Sequence, residues 1–140
     1  MTFVIDTNVL MSILISGRSY YKTILHLFRF STPGQALIEI DKYSDVILRN
    51  TTLNVQDHCQ YAHSIFAEVT ILPDYLIDEK ALKRAAQLIG QIDPKDVNFL
   101  ALAIQTDTIL LTRDKPIYEA ARKNGYRKIM LFDDFLRSLT

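Results

Sequence analysis

Short runs of β-branched and other apolar residues alternate along the chain with longer stretches in which apolar positions recur every three or four residues. Thr2 to Ile5 opens as a strand and halts at Asp6. A helix is predicted from Asn8 to about Ile15, stopped by Ser16-Gly17, and a second from about Ser19 to Leu27. Phe28 to Thr32 alternates as a second strand. Thr32-Pro33 reads as a helix start, a capping hydroxyl followed by proline at the first helical position. From there Ala36, Leu37, Ile40, Ile47 and Leu48 keep helical spacing to about Arg49. Another helix is predicted over Val55 to Ala67, then a third strand at Val69 to Leu72, closed by Pro73. Ile77 to Gln91 is helical, and Asp93-Pro94 starts the next helix. That helix, Asp96 to Gln105, is apolar nearly all round and is expected to be deeply buried. Thr108 to Thr112 is a fourth strand, apolar on both faces as in a covered parallel sheet. Pro116 to Asn124 is a helix with Gly125 as its stop. Lys128 to Leu131 is a fifth strand, and Asp133 is expected to cap a short last helix. Strands separated by helices predict right-handed parallel crossovers and an α/β fold, a three-layer α/β/α sandwich.

With 140 residues, the chain reads as one domain over positions 1–140. Apolar residues make up 49% and charged residues 23%, which excludes a disordered chain. The 16 basic and 16 acidic residues cancel, which excludes a histone-like nucleic-acid binder but not a local basic patch. The single Cys59 excludes an internal disulfide and any cysteine-built zinc site; it is expected to be a small core residue. No stretch approaches the roughly 18–20 apolar residues of a membrane span, and none reads as a signal peptide, so a soluble cytoplasmic protein without membrane contact is expected.

Ligands of open parallel sheets bind beyond the carboxyl ends of the strands, where the strand order reverses. Asp6 follows the first strand; Arg113 and Asp114 follow the fourth. Asp6 can cap the following helix, and it can equally present a carboxylate at the sheet edge, braced by Thr7 and Asn8. In Asp93-Pro94-Lys95-Asp96, capping explains Asp93, whereas Asp96 shares a helix face with Leu100 and Ala103 and points to the packed side, where a metal can sit. Glu39 and Asp41 both fall on the shoulder of an apolar stripe, and spacing does not choose between them. His26, His58 and His63 read as surface or packing residues. There is no glycine-rich phosphate loop and no nucleophile elbow. From Arg113 to Lys128 six basic residues face two acids, either a solvated helix face or a landing strip for phosphates beside Asp114.

Taken together, these segments resemble the PIN domain family of metal-dependent nucleases. The resemblance rests on Val4-Ile5-Asp6-Thr7-Asn8-Val9-Leu10, on Pro33 to Lys42 with Glu39, on Asp93-Pro94-Lys95-Asp96 leading into Phe99 to Ala103, and on Leu111-Thr112-Arg113-Asp114-Lys115. It implies a five-stranded parallel sheet in the order 3-2-1-4-5, with the first and fourth strands side by side. It maps the family's acidic cluster onto Asp6, Glu39, Asp96 and Asp114, with Asn8 and Thr112 as supporting residues. Many relatives carry an acid soon after the aligned proline, where this chain has Gly34 and Gln35, and Ile38 stands where some carry a further acid.

Four carboxylates do not crowd together unaided, since two unit charges about 5 Å apart repel by roughly 3 kcal/mol at an effective dielectric of about 20. A proton or a cation must neutralise them, and an all-oxygen set favours Mg²⁺ or Mn²⁺. The expected chemistry is metal-assisted phosphodiester hydrolysis. Asp6, Asp96 and Asp114 hold the metal, Asp96 or Glu39 orients or deprotonates the attacking water, and Arg113 and Lys115 bind substrate. The resemblance implies RNA as that substrate and includes toxins of bacterial toxin–antitoxin pairs; it leaves room for an antitoxin partner and for a homodimer. The alternatives are a catalytically silent RNA- or protein-binding module and a haloacid-dehalogenase-like phosphatase. The latter needs a second aspartate two residues after the first, where this chain has Asn8.

Overall fold

The computed structural model describes all 140 residues. Five parallel strands, β1 (Thr2–Ile5), β2 (Arg29–Pro33), β3 (Val69–Leu72), β4 (Ile109–Thr112) and β5 (Ile129–Leu131), form one sheet in the order β3-β2-β1-β4-β5. Nine helices flank it: α1 (Thr7–Ser16), α2 (Tyr20–Leu27), α3 (Gln35–Lys42), α4 (Ser44–Asn50), α5 (Val55–Phe66), α6 (Glu79–Ile89), α7 (Val97–Thr106), α8 (Lys115–Lys123) and α9 (Phe132–Ser138). The chain starts in the centre of the sheet, works outward to β3, and returns through α6 and α7 to lay β4 against the free side of β1. In that pair Phe3 lies opposite Ile109 and Ile5 opposite Leu111. The strand order therefore reverses between β1 and β4, and their carboxyl ends lie together. No helix is long and apolar enough to cross a membrane.

The buried strands and α7 meet the expectation of a sheet covered on both faces. Phe3, Val4, Ile5, Leu110 and Leu111 are each at most 1% exposed, and so are Phe99, Leu100, Ala101 and Ala103 of α7. Phe3 packs against Phe28, Phe30 and Phe135, with ring centroids 5.0–5.8 Å away. Gly17 ends α1 with φ +68°, a conformation that favours glycine, and a side chain there would meet Leu53 at 2.9 Å.

Local details differ from expectation at several points. Thr32-Pro33 does not start a helix: both residues belong to β2, with Pro33 opposite Leu72. The buried Thr32 hydroxyl donates to the Ile5 carbonyl at 2.7 Å, bracing two strands instead of capping a helix. The single helix expected up to Arg49 breaks at Tyr43 (φ −104°, ψ 19°) into α3 and α4. Ile40 and Ile47 are both buried on either side of the break and are seven residues apart, so the apolar pattern runs through it unchanged. Asp78, not Ile77, opens α6, its carboxylate accepting from the Ala81 N–H at 2.7 Å. Asp133 lies inside the first turn of α9, whose N-cap is Leu131, and caps nothing. Cys59 is exposed on α5 rather than in the core.

Candidate active site

At the paired ends of β1 and β4, one hydroxyl organises two acids. Asp6 is the first residue beyond β1 and the N-cap of α1; its Oδ1 accepts from the Val9 N–H at 2.9 Å. Its Oδ2 accepts from the Thr112 hydroxyl at the end of β4. The same Thr112 oxygen accepts from the Asp114 N–H at 3.0 Å. Asp114 in turn caps α8, accepting from the Ile117 N–H at 3.2 Å. Both acids thus stand at helix N-termini, where the macrodipole favours negative charge. Thr112 is fully buried, so its hydroxyl has a fixed position between them.

Glu39 reaches the same region from the second turn of α3, where its Oε1 accepts from the Thr7 hydroxyl at 2.5 Å. This resolves the ambiguity left by spacing: Glu39 lines a cavity of about 480 Å³ together with Thr7, Asn8, Asp93, Asp96 and Asp114, whereas Asp41 is exposed and does not. Gln35 holds α3 in place from its first turn. Its side-chain amide donates to the Lys95 carbonyl at 2.7 Å and accepts from Asn98 at 2.6 Å. The helix carrying Glu39 is thereby tied to the segment carrying Asp96.

That segment is a 3₁₀ turn, Pro94–Asp96, capped by Asp93, whose Oδ1 accepts from the Lys95 N–H at 2.9 Å. Asp93, Asp96 and Asp114 each offer a carboxylate oxygen within 4.8 Å of the others. Asp6 is not one of these three, and it is 3% exposed. Sequence reasoning took Asp93 as a cap alone. The available signal was the short separation of Asp93 and Asp96 across Pro94, which keeps a cap residue and the end of its one-turn helix close in space.

Burial and mutual repulsion raise two of these carboxyls. Burial, followed by the charges of Asp6, Asp93, Asp114 and Glu39, pushes the Asp96 carboxyl up to about 7. Burial also pushes Asp6 up to about 6, against the lowering effect of its hydrogen bonds from Thr112 and Val9. The all-oxygen donor set of the trio suits a hard divalent cation, which would relieve this crowding. The cluster can therefore hold a cation, or hold and release a proton near neutral pH.

The basic residues do not form one strip. Arg113 and Lys115 are exposed beside Asp114 and line a second cavity of about 630 Å³, which shares Asp114 with the first. Arg127 and Lys128 lie at the opposite, amino-terminal ends of the strands, because α8 carries the chain back to the start of β5. There Lys128 Nζ lies 2.6 Å from Asp107. Arg122 instead sits over the Tyr118 ring, 5.4 Å from its centroid. Of the histidines, His26 is exposed and pairs with Glu68 at 3.2 Å.

Among curated proteins no match is found. Solved structures that share the fold include the following two. VapBC2 from Rickettsia felis, determined bound to a DNA fragment from its promoter, superposes with a TM-score of 0.61 at 12% identity, covering 94% of this chain and 97% of that one. A PilT N-terminus domain protein from the hyperthermophilic archaeon Sulfolobus solfataricus P2 gives 0.55 at 14% identity, covering 99% and 92%. The family model for the PIN domain matches residues 4–128. A match running from the first strand to the edge of the fifth, over a sheet of the expected order, shows that the chain belongs to the PIN domain family.

Proposed function

We propose that the chain is a divalent-metal-dependent endoribonuclease that hydrolyses phosphodiester bonds at Asp6, Glu39, Asp96 and Asp114, and that it serves as the toxin of a toxin–antitoxin pair. The observation that carries the catalytic part is the oxygen trio of Asp93, Asp96 and Asp114 beside Glu39 in one open cavity. Three aspartates gathered with no ion pair to a lysine or arginine are costly unless a cation or proton joins them. The donor set fits Mg²⁺ or Mn²⁺, with Asp96, Asp114 and Asp93 as the residues to hold it and Asp6 adding its charge from beneath. When bound, such an ion supplies Lewis acidity and neutralises charge on the phosphate.

The chain's own residues supply the rest. Thr112 fixes Asp6 and the backbone of Asp114 relative to each other, and Thr7 fixes Glu39. Asp96 or Glu39 orients or deprotonates the attacking water. Asn8 and Lys95 line the same cavity and can donate to a substrate phosphate, while Arg113 and Lys115 lead the backbone away past Asp114. The toxin part rests on the family and on the likeness to VapBC2.

The test is cleavage of a mixed RNA substrate with Mg²⁺ or Mn²⁺, with EDTA, and by the Asp6→Asn and Asp96→Asn proteins. Cleavage that needs both the ion and both acids supports the reading. A folded wild-type chain that binds neither Mg²⁺ nor Mn²⁺ and cleaves nothing overturns it in favour of a silent binding module.

A further inference from the structure

The cavity that holds the acids has a second, unlike side. Met11, Ile38, Tyr43 and Val46 also line it, drawn from α1, α3, the α3–α4 junction and α4. Ile38 is 70% exposed and Tyr43 40%, so neither is there to fill the core. Tyr43 occupies the break between the two helices, and its N–H closes α3 by donating to the Glu39 carbonyl at 3.0 Å. The two residues therefore sit one helical turn apart on the backbone. Lys42 Nζ lies over the ring, 5.5 Å from its centroid. An aromatic ring, an exposed aliphatic side chain and a cation, in continuity with a carboxylate cluster, suit the face of a base, its edge and a neighbouring phosphate.

We propose that Tyr43 is a base-stacking platform: the nucleobase adjoining the phosphate held at the acids stacks on its ring, Ile38 contacts the base edge, and Lys42 balances the next phosphate. The inference rests on the nuclease reading and narrows it to unpaired nucleotides. A base inside a duplex has both faces covered by its neighbours and cannot lie on a side chain, whereas a splayed base can. Because every base has a π-face, the platform binds without demanding one sequence. Tyr43 acts here as a positioning residue and touches no reacting atom.

The experiment measures anisotropy of a fluorescein-labelled single-stranded oligoribonucleotide, its duplex form, and a version with abasic nucleotides, bound to the full-length Glu39→Gln protein in Mg²⁺, which keeps the Asp93, Asp96 and Asp114 trio. The single strand binds more tightly than the duplex. Adding Tyr43→Ala raises Kd for the single strand roughly tenfold, and Tyr43→Phe restores it to within about threefold. For the abasic strand the Tyr43→Ala penalty disappears. Tight RNA binding that is indifferent to Tyr43→Ala, or a penalty that persists on the abasic strand, overturns the platform and leaves the nuclease reading standing. Absence of RNA binding by the Tyr43-containing protein, with Mg²⁺ bound, overturns both.

Discussion

Replacing Asp6 by asparagine should stabilise the metal-free chain, and by an amount that depends on pH. Asp6 is 3% exposed, and burial raises its carboxyl from 3.8 to about 6. A raised acid binds its proton more tightly in the folded chain than in the unfolded one, so folding favours the neutral form. Below about pH 4 the group is neutral in both states and carries no penalty. Above about pH 6 it is charged in both, and the folded state bears the whole cost of a buried charge. The shift of roughly two units is worth about 3 kcal/mol at 1.36 kcal/mol per unit. Asparagine keeps an oxygen for the Val9 N–H, and the Thr112 hydroxyl can rotate to accept from the new amide. The stability of Asp6→Asn minus that of wild type should therefore rise by about 3 kcal/mol between about pH 4 and pH 8, with most of the rise below about pH 6.5. Urea denaturation in EDTA at closely spaced pH values measures this directly, and the same difference corresponds to a melting shift on the order of 10 °C. A difference that is flat across that range, or that falls as pH rises, would refute the argument that burial of the Asp6 charge dominates the site.

The remaining predictions concern the same end of the sheet. Mg²⁺ at a hundred times its Kd should stabilise wild type by about 2.7 kcal/mol and raise its melting temperature, a gain that Asp96→Asn should largely remove. Thr112→Val leaves the Asp6 Oδ2 and the Asp114 N–H without their shared hydroxyl; it should cost about 1–3 kcal/mol in urea titration and lower RNA cleavage roughly 10–100-fold. Lys115→Ala should reduce the salt dependence of RNA binding by about one phosphate contact, and Lys128→Ala, at the amino-terminal end of the strands and paired with Asp107, should leave it unchanged.

Much of this molecule follows from its sequence because local rules act there without competition. Strands β1, β3 and β4 are short, mainly apolar runs closed by Asp6, Pro73 and Arg113, and the acids at the ends of β1 and β4, Asp6 and Asp114, each cap a helix and face the strand-order reversal. The two roles are compatible, since a cap needs one carboxylate oxygen and leaves the other. Burial of α7 likewise follows from its apolar run from Phe99 to Ile104.

Other features depend on distance in space rather than along the chain. The seven-residue gap between Ile40 and Ile47 keeps its apolar phase across Tyr43, so periodicity could not reveal the break that brings an aromatic ring to the cavity. Thr32 looked like a cap because Thr-Pro usually starts helices, but the Ile5 carbonyl, twenty-seven positions away, claimed its hydroxyl. The basic run from Arg113 to Lys128 was continuous only in sequence; α8 spans the sheet between its two ends and separates them. Glu39 and Asp41 are equivalent on a helical wheel, and what distinguishes them is the Thr7 hydroxyl on another element. The sequence by itself determined the order of elements and the acids at the strand ends, because these obey interactions within a few residues. Only the tertiary structure decided which carboxylates meet, with Asp93 joining Asp96 and Asp114, because that is set by how α3, the 3₁₀ turn and β4 pack around β1.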